Sequence, residues 1–236
     1  MAELAVVMPV YNEEGAIPAV LEKWSRAFDA LGIDYRLHAY NDGSTDKTAE
    51  ILASLAGKYP RLCVHNKENS GHGPTVLAGY REAVDATWIF QTDSDDEMAP
   101  ESFPALWEQR GRYDFLIGRR DKRHSPLPRR IVSLVSRLAV KVCYGRGVWD
   151  VNSPYRLMRR VCFARLFDRV PADTFAPNVI VSGFACRRKL RILEIPVPHH
   201  ERRTGVVSVR KWKLLKAAAK SLAQTLRFAM TRPRPD

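Results

Sequence analysis

The feature that most constrains the fold is a regular alternation of short apolar runs and amphipathic stretches in the first part of the chain. The apolar runs have the length of buried strands, and the stretches between them carry apolar residues at helical spacing. The predicted strands are residues 4–8, 35–40, 62–65 and 87–90, and the predicted helices are residues 16–31, 46–55 and 74–84. Because strand, helix and strand follow one another, the sequence predicts an α/β fold with a parallel sheet and crossover helices.

Each predicted strand is followed by a polar loop. The four loops read YNEE, NDGSTD, NSGHG and DSDDE. In sheets of this kind, ligands bind beyond the carboxyl ends of the strands, where the loops meet. We therefore expect all four loops to lie at one edge of the sheet and to form a binding site.

The last of these loops concentrates negative charge in a basic protein. Asp93, Asp95, Asp96 and Glu97 follow a strand-like run, whereas the whole chain has a formal net charge of +12. Such close like charges repel one another unless water solvates them or a cation neutralises them. A lone Asp-Ser-Asp is most often a solvated loop, so these residues by themselves leave both interpretations open.

Composition narrows the class of protein without naming a ligand. The 236 residues suit one large domain or one domain with a terminal extension, and 38 basic against 26 acidic residues favour an anionic partner. The four cysteines are scattered without a C-x-x-C pair, so we predict neither a zinc site nor a disulfide framework. We also expect no signal peptide and no membrane-spanning helix.

The second half of the chain is less regular. Extended or strand-like stretches are predicted at residues 115–117, 148–158 and 191–197. The basic stretch GRRDKRHSPLPRR opens an apolar and basic helix that ends near Tyr144. Residues 208–230 have the spacing of a long basic amphipathic helix.

Six motifs occur in the order and spacing of a known family. They read VVMPVYNEE, NDGSTDKT, NSGHGPTVLAGY, QTDSDDE, IGRR and DVNSPYRLM, and the similarity extends over residues 4–210. The chain resembles the inverting family-two glycosyltransferases, and most of all the branch that includes dolichyl-phosphate mannose synthase and its bacterial polyprenyl-phosphate relatives. The resemblance implies a GT-A fold with a mostly parallel, Rossmann-like sheet flanked by helices. It also implies a UDP- or GDP-sugar donor and a Mg²⁺ or Mn²⁺ ion.

The resemblance implies roles for residues around the donor. Asp93 and Asp95 match the D-x-D acids that bind the metal, and Glu97 stands where relatives often carry a metal-contacting Gln. Asp42 resembles the acid that hydrogen-bonds the nucleobase. Nucleotide contacts are implied for Pro9, Tyr11, Glu13, Asp42, Gly71, Gly73 and Asp93. Since hard oxygen ligands suit Mg²⁺ or Mn²⁺, we expect the acidic loop to bind a metal and not only water.

The predicted acceptor follows from an acidic pair that this chain lacks. Many family-two enzymes that glycosylate a hydroxyl carry an Asp that serves as base, but Asn152-Ser153-Pro154 occupy the comparable positions here. Synthases that use a lipid phosphate resemble this chain instead, although Pro154 and Tyr155 replace their Gly and Phe. A phosphate monoester has a second pKa of about 6 and needs cations more than a base. Contacts to the acceptor phosphate are predicted for Arg119, Arg130, Ser153, Arg156 and Arg202, and the predicted catalytic residues are Asp93, Asp95 and Arg119.

These inferences lead to expectations about domains, place and partners. We divide the chain into a GT-A catalytic domain at residues 1–207 and a basic amphipathic helix with a short tail at residues 208–236. That helix can lie in a membrane interface or pack on the domain with a solvated face. We expect a peripheral enzyme at the cytoplasmic face of a membrane, with a nucleotide-sugar donor, a lipid-phosphate acceptor and no nucleic acid.

Two alternatives remain open at this point. One is a glycosyltransferase that acts on a glycan or another hydroxyl acceptor, with a base recruited from elsewhere in the chain. The other is a non-catalytic binder of an anionic surface or nucleic acid, which the net charge of +12 suggests. The second alternative gives the converging acids no purpose, so metal-dependent nucleotide binding would exclude it.

Overall fold

A seven-stranded sheet forms the centre of the protein. A computed structural model describes residues 2–120, 137–138, 140–145, 147–199 and 211–230, with the backbone alone for residues 211–218. The strands are β1 (Ala2–Val10), β2 (Tyr35–Asp42), β3 (Leu62–Lys67), β4 (Ala86–Gln91), β5 (Phe115–Arg120), β6 (Arg156–Arg159) and β7 (Ile192–Val197). Their order is β3-β2-β1-β4-β6-β5-β7. Neighbouring strands are parallel except where β6 pairs with β4 and β5, which confirms the predicted mostly parallel sheet.

Helices cover both faces of this sheet. They are α1 (Ile17–Ala30), α2 (Thr48–Lys58), α3 (His72–Glu82), α4 (Phe103–Glu108), α5 (Arg160–Arg169), α6 (Pro177–Arg187) and α7 (Lys211–Met230). Residues 137–138 and 140–144 are also helical, and we refer to them as the connecting helix. Helices α4, α5 and α6 were not predicted. The extended stretch predicted at 148–158 was wrong over most of its length, because residues 148–155 form a turn before the short strand β6.

Alternation along the strands divides the core into two layers. In β1, Leu4, Val6 and Met8 face one layer, whereas Ala5 and Val7 face the other. This period of two is what a central strand covered on both faces requires. The first layer is an aromatic cluster beneath α1 and α4, made of Trp24, Phe28, Phe90, Phe103 and Tyr155. The second layer lies beneath α3, α5 and α6 and includes Tyr80, Phe163 and Phe167.

The pairing register brings the polar loops to one edge. Val10 is aligned with Asn41 of β2, and Val7 is aligned with Gln91 at the end of β4. Since β1, β2 and β4 are parallel, the loops that follow them start side by side. The expected convergence of these loops is confirmed.

Candidate active site

Asp42, the last residue of β2, organises the glycine loop. This loop is the NSGHG segment, residues 69–73, which follows β3. Its side chain is buried and accepts hydrogen bonds from the backbone N–H groups of Ser70 and Gly71, both at 2.9 Å, and from Lys67 Nζ at 2.5 Å. Burial alone would raise the pKa of the Asp42 carboxyl, but the hydrogen bonds from Lys67 and Ser70 outweigh it and hold this pKa below its usual value. Asp42 is therefore a charged anchor for the loop that precedes α3.

The glycine loop needs its glycines for two different reasons. Gly71 has φ = +92°, a backbone conformation that residues with a Cβ rarely adopt. Gly73 lies in the first turn of α3, where an added Cβ would stand 2.1 Å from the carbonyl oxygen of Phe175 and 2.5 Å from that of Thr174. The first turn of α3 is thus packed directly against the backbone of the 174–175 segment, which Gln224 of α7 holds through a 2.9 Å hydrogen bond to the Phe175 N–H.

The acidic loop follows β4 and lies beside the glycine loop. Asp93 Oδ1 is buried, makes no hydrogen bond and lies 3.9 Å from Nε2 of His72. Asp95 accepts a hydrogen bond from the Glu97 N–H at 3.2 Å, and the Glu97 carboxylate lies 2.9 Å from Nε2 of His199. Within the described ranges, no three carboxylate, imidazole or thiol groups are positioned to hold a metal by themselves.

Three residues predicted to bind the nucleotide lie at or just after the end of β1. The carbonyl of Pro9 accepts a hydrogen bond from Ser94 at 2.9 Å and so ties β1 to the acidic loop. Tyr11 is exposed just beyond the strand. Glu13 is buried, and its backbone N–H donates to Oγ1 of Thr48 at 2.9 Å. Their predicted nucleotide contacts stay predictions, with Tyr11 the most accessible of the three.

A buried ion pair supplies positive charge next to the acids. Arg120, at the end of β5, donates two hydrogen bonds to Asp150, from Nε at 2.7 Å and from Nη2 at 2.8 Å. Burial opposes the charge of Arg120, but Asp150, with help from Asp93 and Glu97, raises the pKa of this guanidinium above its ordinary value. Arg120 consequently stays charged and faces the electrostatic field of the acidic loop.

Arg119 precedes Arg120 in β5. Its guanidinium is 5.8 Å from the centre of the Trp149 ring, and that of Arg137 is 4.4 Å from the same ring. The backbone N–H of Trp149 donates to the Glu194 carboxylate at 2.8 Å. Burial raises the pKa of the Glu194 carboxyl, although hydrogen bonds from the backbone N–H groups of Trp149 and Asp150 act in the opposite direction.

Comparison with known proteins places this geometry in a family. Residues 5–167 match the family described as "Glycosyl transferase family 2". The chain belongs to this family. A related protein in Photorhabdus laumondii, an undecaprenyl-phosphate 4-deoxy-4-formamido-L-arabinose transferase, is 30% identical over 86% of this chain. The protein of that name in Pseudomonas paraeruginosa is 30% identical over 90% of this chain. The chain spans 62% of the length of each of these two relatives.

Solved structures show the same fold. Glucosyl-3-phosphoglycerate synthase from Mycobacterium tuberculosis, in complex with phosphoglyceric acid, matches with a TM-score of 0.71 over 99% of this chain and 81% of its own, at 20% identity. A second crystal structure of that enzyme holds Mn²⁺, UDP and phosphoglyceric acid and also has a TM-score of 0.71, over 98% of this chain and 80% of its own, at 19% identity. Residues 1–349 of TarS from S. aureus match with a TM-score of 0.58 over 98% of this chain and 73% of their own, at 15% identity. The predicted GT-A fold is confirmed.

In this family-two chain, two residues predicted to contact the acceptor serve the interior instead. Arg156 is 0% exposed, and its guanidinium donates to the backbone carbonyls of Ser153, Asn178 and Val151. Ser153 is equally buried, and its hydroxyl donates to the Gly118 carbonyl at 2.6 Å. This geometry argues against the direct phosphate contacts that the sequence analysis predicted, because neither side chain reaches the surface. The predicted contacts at Arg130 and Arg202 lie outside the described residues.

The structure also brings in residues that sequence reasoning missed. His199 lies two residues after β7 and reaches Glu97, which is distant in the chain. Lys67 ends β3 and binds Asp42, and Glu194 on β7 holds the backbone of the turn that carries Asp150. A histidine or lysine at the carboxyl end of a predicted strand was the available signal, since that is where the other site residues lie.

Proposed function

We propose that this chain is a metal-dependent inverting glycosyltransferase that moves a sugar from a UDP- or GDP-sugar to a polyprenyl or dolichyl phosphate. Family membership and the named activities of the relatives support this reaction class. The observation that carries the proposal is the convergence of two elements at one sheet edge. These are the D-x-D acids Asp93 and Asp95 and the glycine loop that Asp42 holds.

The residues present fit a divalent metal that shares its ligands with the donor. Asp93 Oδ1 is buried without a hydrogen bond, which is costly for a carboxylate unless a cation lies nearby. Mg²⁺ is usually held by one or two carboxylates, with substrate phosphates and water in its remaining positions. Asp93 and Asp95 would hold the ion, and the paired Glu97 and His199 are the next candidates. When bound, the ion would stabilise the negative charge that develops on the leaving diphosphate.

The chain's own residues divide the remaining work on the donor. The loop at Gly71 presents backbone without a Cβ, so a nucleotide can approach it closely. Asp42 keeps this loop in place, and Arg120 adds a fixed positive charge near the acids without needing to move. Such preorganised charge is the usual source of transition-state stabilisation in transfer reactions.

The acceptor half of the proposal rests on the state of Asp150. Both of its carboxylate oxygens accept hydrogen bonds from Arg120, so uptake of a substrate proton by Asp150 would weaken this ion pair. A lipid phosphate needs no base at neutral pH, because its second pKa of about 6 leaves it largely ionised. Arg119 lies at the same end of β5 and can offer a guanidinium that pairs phosphate with two hydrogen bonds.

One observation favours a second candidate, transfer to a hydroxyl. Such an acceptor needs a base, and the carboxyl of Glu194 is partly buried with its pKa raised above the ordinary value. The backbone N–H of Trp149 already donates to both Glu194 oxygens, at 3.0 and 2.8 Å. We rank this candidate second because that contact points to a structural task for Glu194.

The site of action is part of the same proposal. Within the residues that the structure describes, no helix is both long enough and apolar enough to cross a bilayer. We propose a peripheral enzyme that meets its lipid acceptor at the cytoplasmic face of a membrane. Donor and lipid phosphate are its proposed partners, and nucleic acid is not.

Two measurements test this function in sequence. Calorimetry with UDP and with GDP, each with and without Mn²⁺, identifies the base and the metal requirement. Transfer of radiolabelled sugar from the matching donor is then compared between polyprenyl phosphate and dephosphorylated polyprenol. We expect transfer to the phosphate only, and equal transfer to the alcohol would overturn the acceptor assignment.

A further inference from the structure

The connecting helix presents apolar side chains to the outside. Leu138 and Val142 are exposed, Val142 to 78% of its surface. Residues four apart lie on the same side of a helix, so these two side chains form a stripe. Lys141 is exposed beside them, and residues 137–144 contain neither Asp nor Glu.

Helix α7 also exposes apolar residues, and it buries polar ones. Its buried positions include Ser221 and Thr225, whereas Leu226 is exposed and Met230 is exposed to 76%. Leu226 and Met230 are thus apolar residues that face away from the core, although Phe228 and Ala229 of the same helix pack against it. Arg227 is exposed in the same turn, and residues 211–230 also lack any acid.

Arg187 joins the two exposed stripes. Its Nη2 donates to the carbonyl of Cys143 at 3.0 Å and to the carbonyl of Ala229 at 2.9 Å. Cys143 follows Val142, and Ala229 precedes Met230. One guanidinium therefore brings together the backbones next to Val142 and Met230, the most exposed apolar residues that the structure describes in these two helices. The C-terminal ends of the two stripes therefore lie close together.

Trp149 extends the stripe of the connecting helix toward the candidate active site. Trp149 is 61% exposed, and its ring lies against the guanidinium groups of Arg137 and Arg119. Arg137 is the neighbour of Leu138, and Arg119 is the proposed acceptor contact. Tryptophan favours the boundary between water and lipid, because its ring is apolar and its N–H is polar.

We propose that Leu138, Val142, Trp149, Leu226 and Met230, the docking face, insert into the headgroup layer of an anionic phospholipid bilayer. The inference rests on the proposed function and deepens it by naming the surface that meets the lipid. A bilayer is the occupant that suits both features, since exposed apolar residues enter the interface and basic residues attract anionic headgroups. The five exposed or ring-stacked basic residues that accompany it are Arg119, Arg137, Lys141, Arg187 and Arg227. Docking through this face would bring Arg119 to the level of the lipid phosphates.

The chain offers a matched control for this proposal. Val142 and Val161 are each 78% exposed, but Val161 lies on α5 and belongs to neither stripe. Val142→Asp and Val161→Asp therefore make the same chemical change at the same exposure. Sedimentation with vesicles of phosphatidylcholine and phosphatidylglycerol measures binding of the full chain, with vesicles of phosphatidylcholine alone as reference.

We expect Val142→Asp to weaken binding to the anionic vesicles by about fivefold or more, because an acid is introduced at a surface that attracts through basic residues. Val161→Asp should bind like the unchanged protein, and both variants should keep the same affinity for UDP or GDP. Equal loss in the two variants, or no binding of the unchanged chain to anionic vesicles, would overturn the docking face.

Two further outcomes separate this inference from the proposed function. If the chain binds vesicles through Val142 but binds neither UDP nor GDP, the transferase proposal fails and the docking face stands. If ultracentrifugation shows that Val142→Asp turns a dimer into a monomer and leaves vesicle binding unchanged, the face joins two copies of this chain and the membrane assignment is wrong.

Discussion

Replacing Asp150 by Asn tests the proposed absence of a catalytic base. The amide of Asn keeps one oxygen that can accept a hydrogen bond from Arg120. An NH₂ group, which cannot accept one, replaces the other oxygen. One charge-assisted hydrogen bond is therefore lost, and such bonds contribute about 1.5–3 kcal/mol. The side chains of Arg120 and Asp150 are only 11% and 14% exposed, which places the expected loss in the upper part of that range.

The expected result is a less stable enzyme that still works. A loss of about 2–3 kcal/mol lowers the unfolding midpoint of a chain of this size by about 4–12 °C. A general base contributes about 10²- to 10⁴-fold to a rate, so we expect sugar transfer to lipid phosphate at neutral pH to fall by less than about tenfold. Thermal unfolding and the transfer assay, performed on the same preparation, measure the two effects separately.

Asp114 provides the matched control. It accepts two hydrogen bonds from Arg191, at 2.9 and 2.7 Å, and one from Arg159 at 3.2 Å, but it precedes β5 and so lies at the opposite edge of the sheet. Because Asp114 binds two guanidinium groups, Asp114→Asn should also lower the unfolding midpoint, but it should leave sugar transfer unchanged. Loss of transfer by a hundredfold or more in folded Asp150→Asn, with full activity in Asp114→Asn, would refute the reasoning and identify Asp150 as a base.

Three further predictions follow from the site and the sheet. Asp95→Ala should abolish Mn²⁺-dependent binding of UDP or GDP in calorimetry and keep the unfolding midpoint; unchanged nucleotide affinity of the parent protein in EDTA would contradict this. Gly73→Ala should cost about 1–3 kcal/mol in denaturant unfolding and weaken nucleotide binding, because the new methyl group meets the carbonyl of Phe175; a stable variant with normal binding would show that the 174–175 segment yields freely. Burial, followed by the charge of His65, lowers the pKa of His38 to about 4 from an ordinary value of 6.5. The unfolded chain then binds more protons between these values, so stability should fall as the pH drops from about 6.5 toward 4, and His38→Gln should flatten that part of the curve of midpoint against pH.

The donor side of the site could be predicted because it is local in sequence. Each of its loops directly follows a strand, so a short apolar run followed by a polar run was sufficient to place Asp42 and Asp93 at one edge. The glycine positions were predictable for the same reason, although only the structure explains Gly73, whose neighbour Phe175 is remote in the chain.

The acceptor side was harder to predict because sequence does not reveal which arginines are buried. Arg156 looks like its neighbours Arg159 and Arg160, yet its guanidinium is enclosed and satisfied by backbone carbonyls. Fully buried arginine is rare, so an exposed cation was the sound expectation. Likewise, the turn at 148–155 has the apolar character of a strand but is held by two contacts with remote strands. Asp150 binds Arg120 of β5, and the backbone N–H of Trp149 donates to Glu194 of β7.

The position of β4 has a consequence for how the protein is made. One neighbour of β4 is β1, which is synthesised first, but the other is β6, which pairs through Arg156–Arg159. At translation rates of about 5–20 residues per second, the nascent chain carries β4 for roughly 3–13 s before β6 leaves the site of synthesis. During that interval the unpaired N–H and C=O groups along one edge of β4 are open to pairing with other chains. The strand that positions the proposed metal-binding acids is thus open to aggregation in the newborn protein, and holding chaperones should raise its soluble yield.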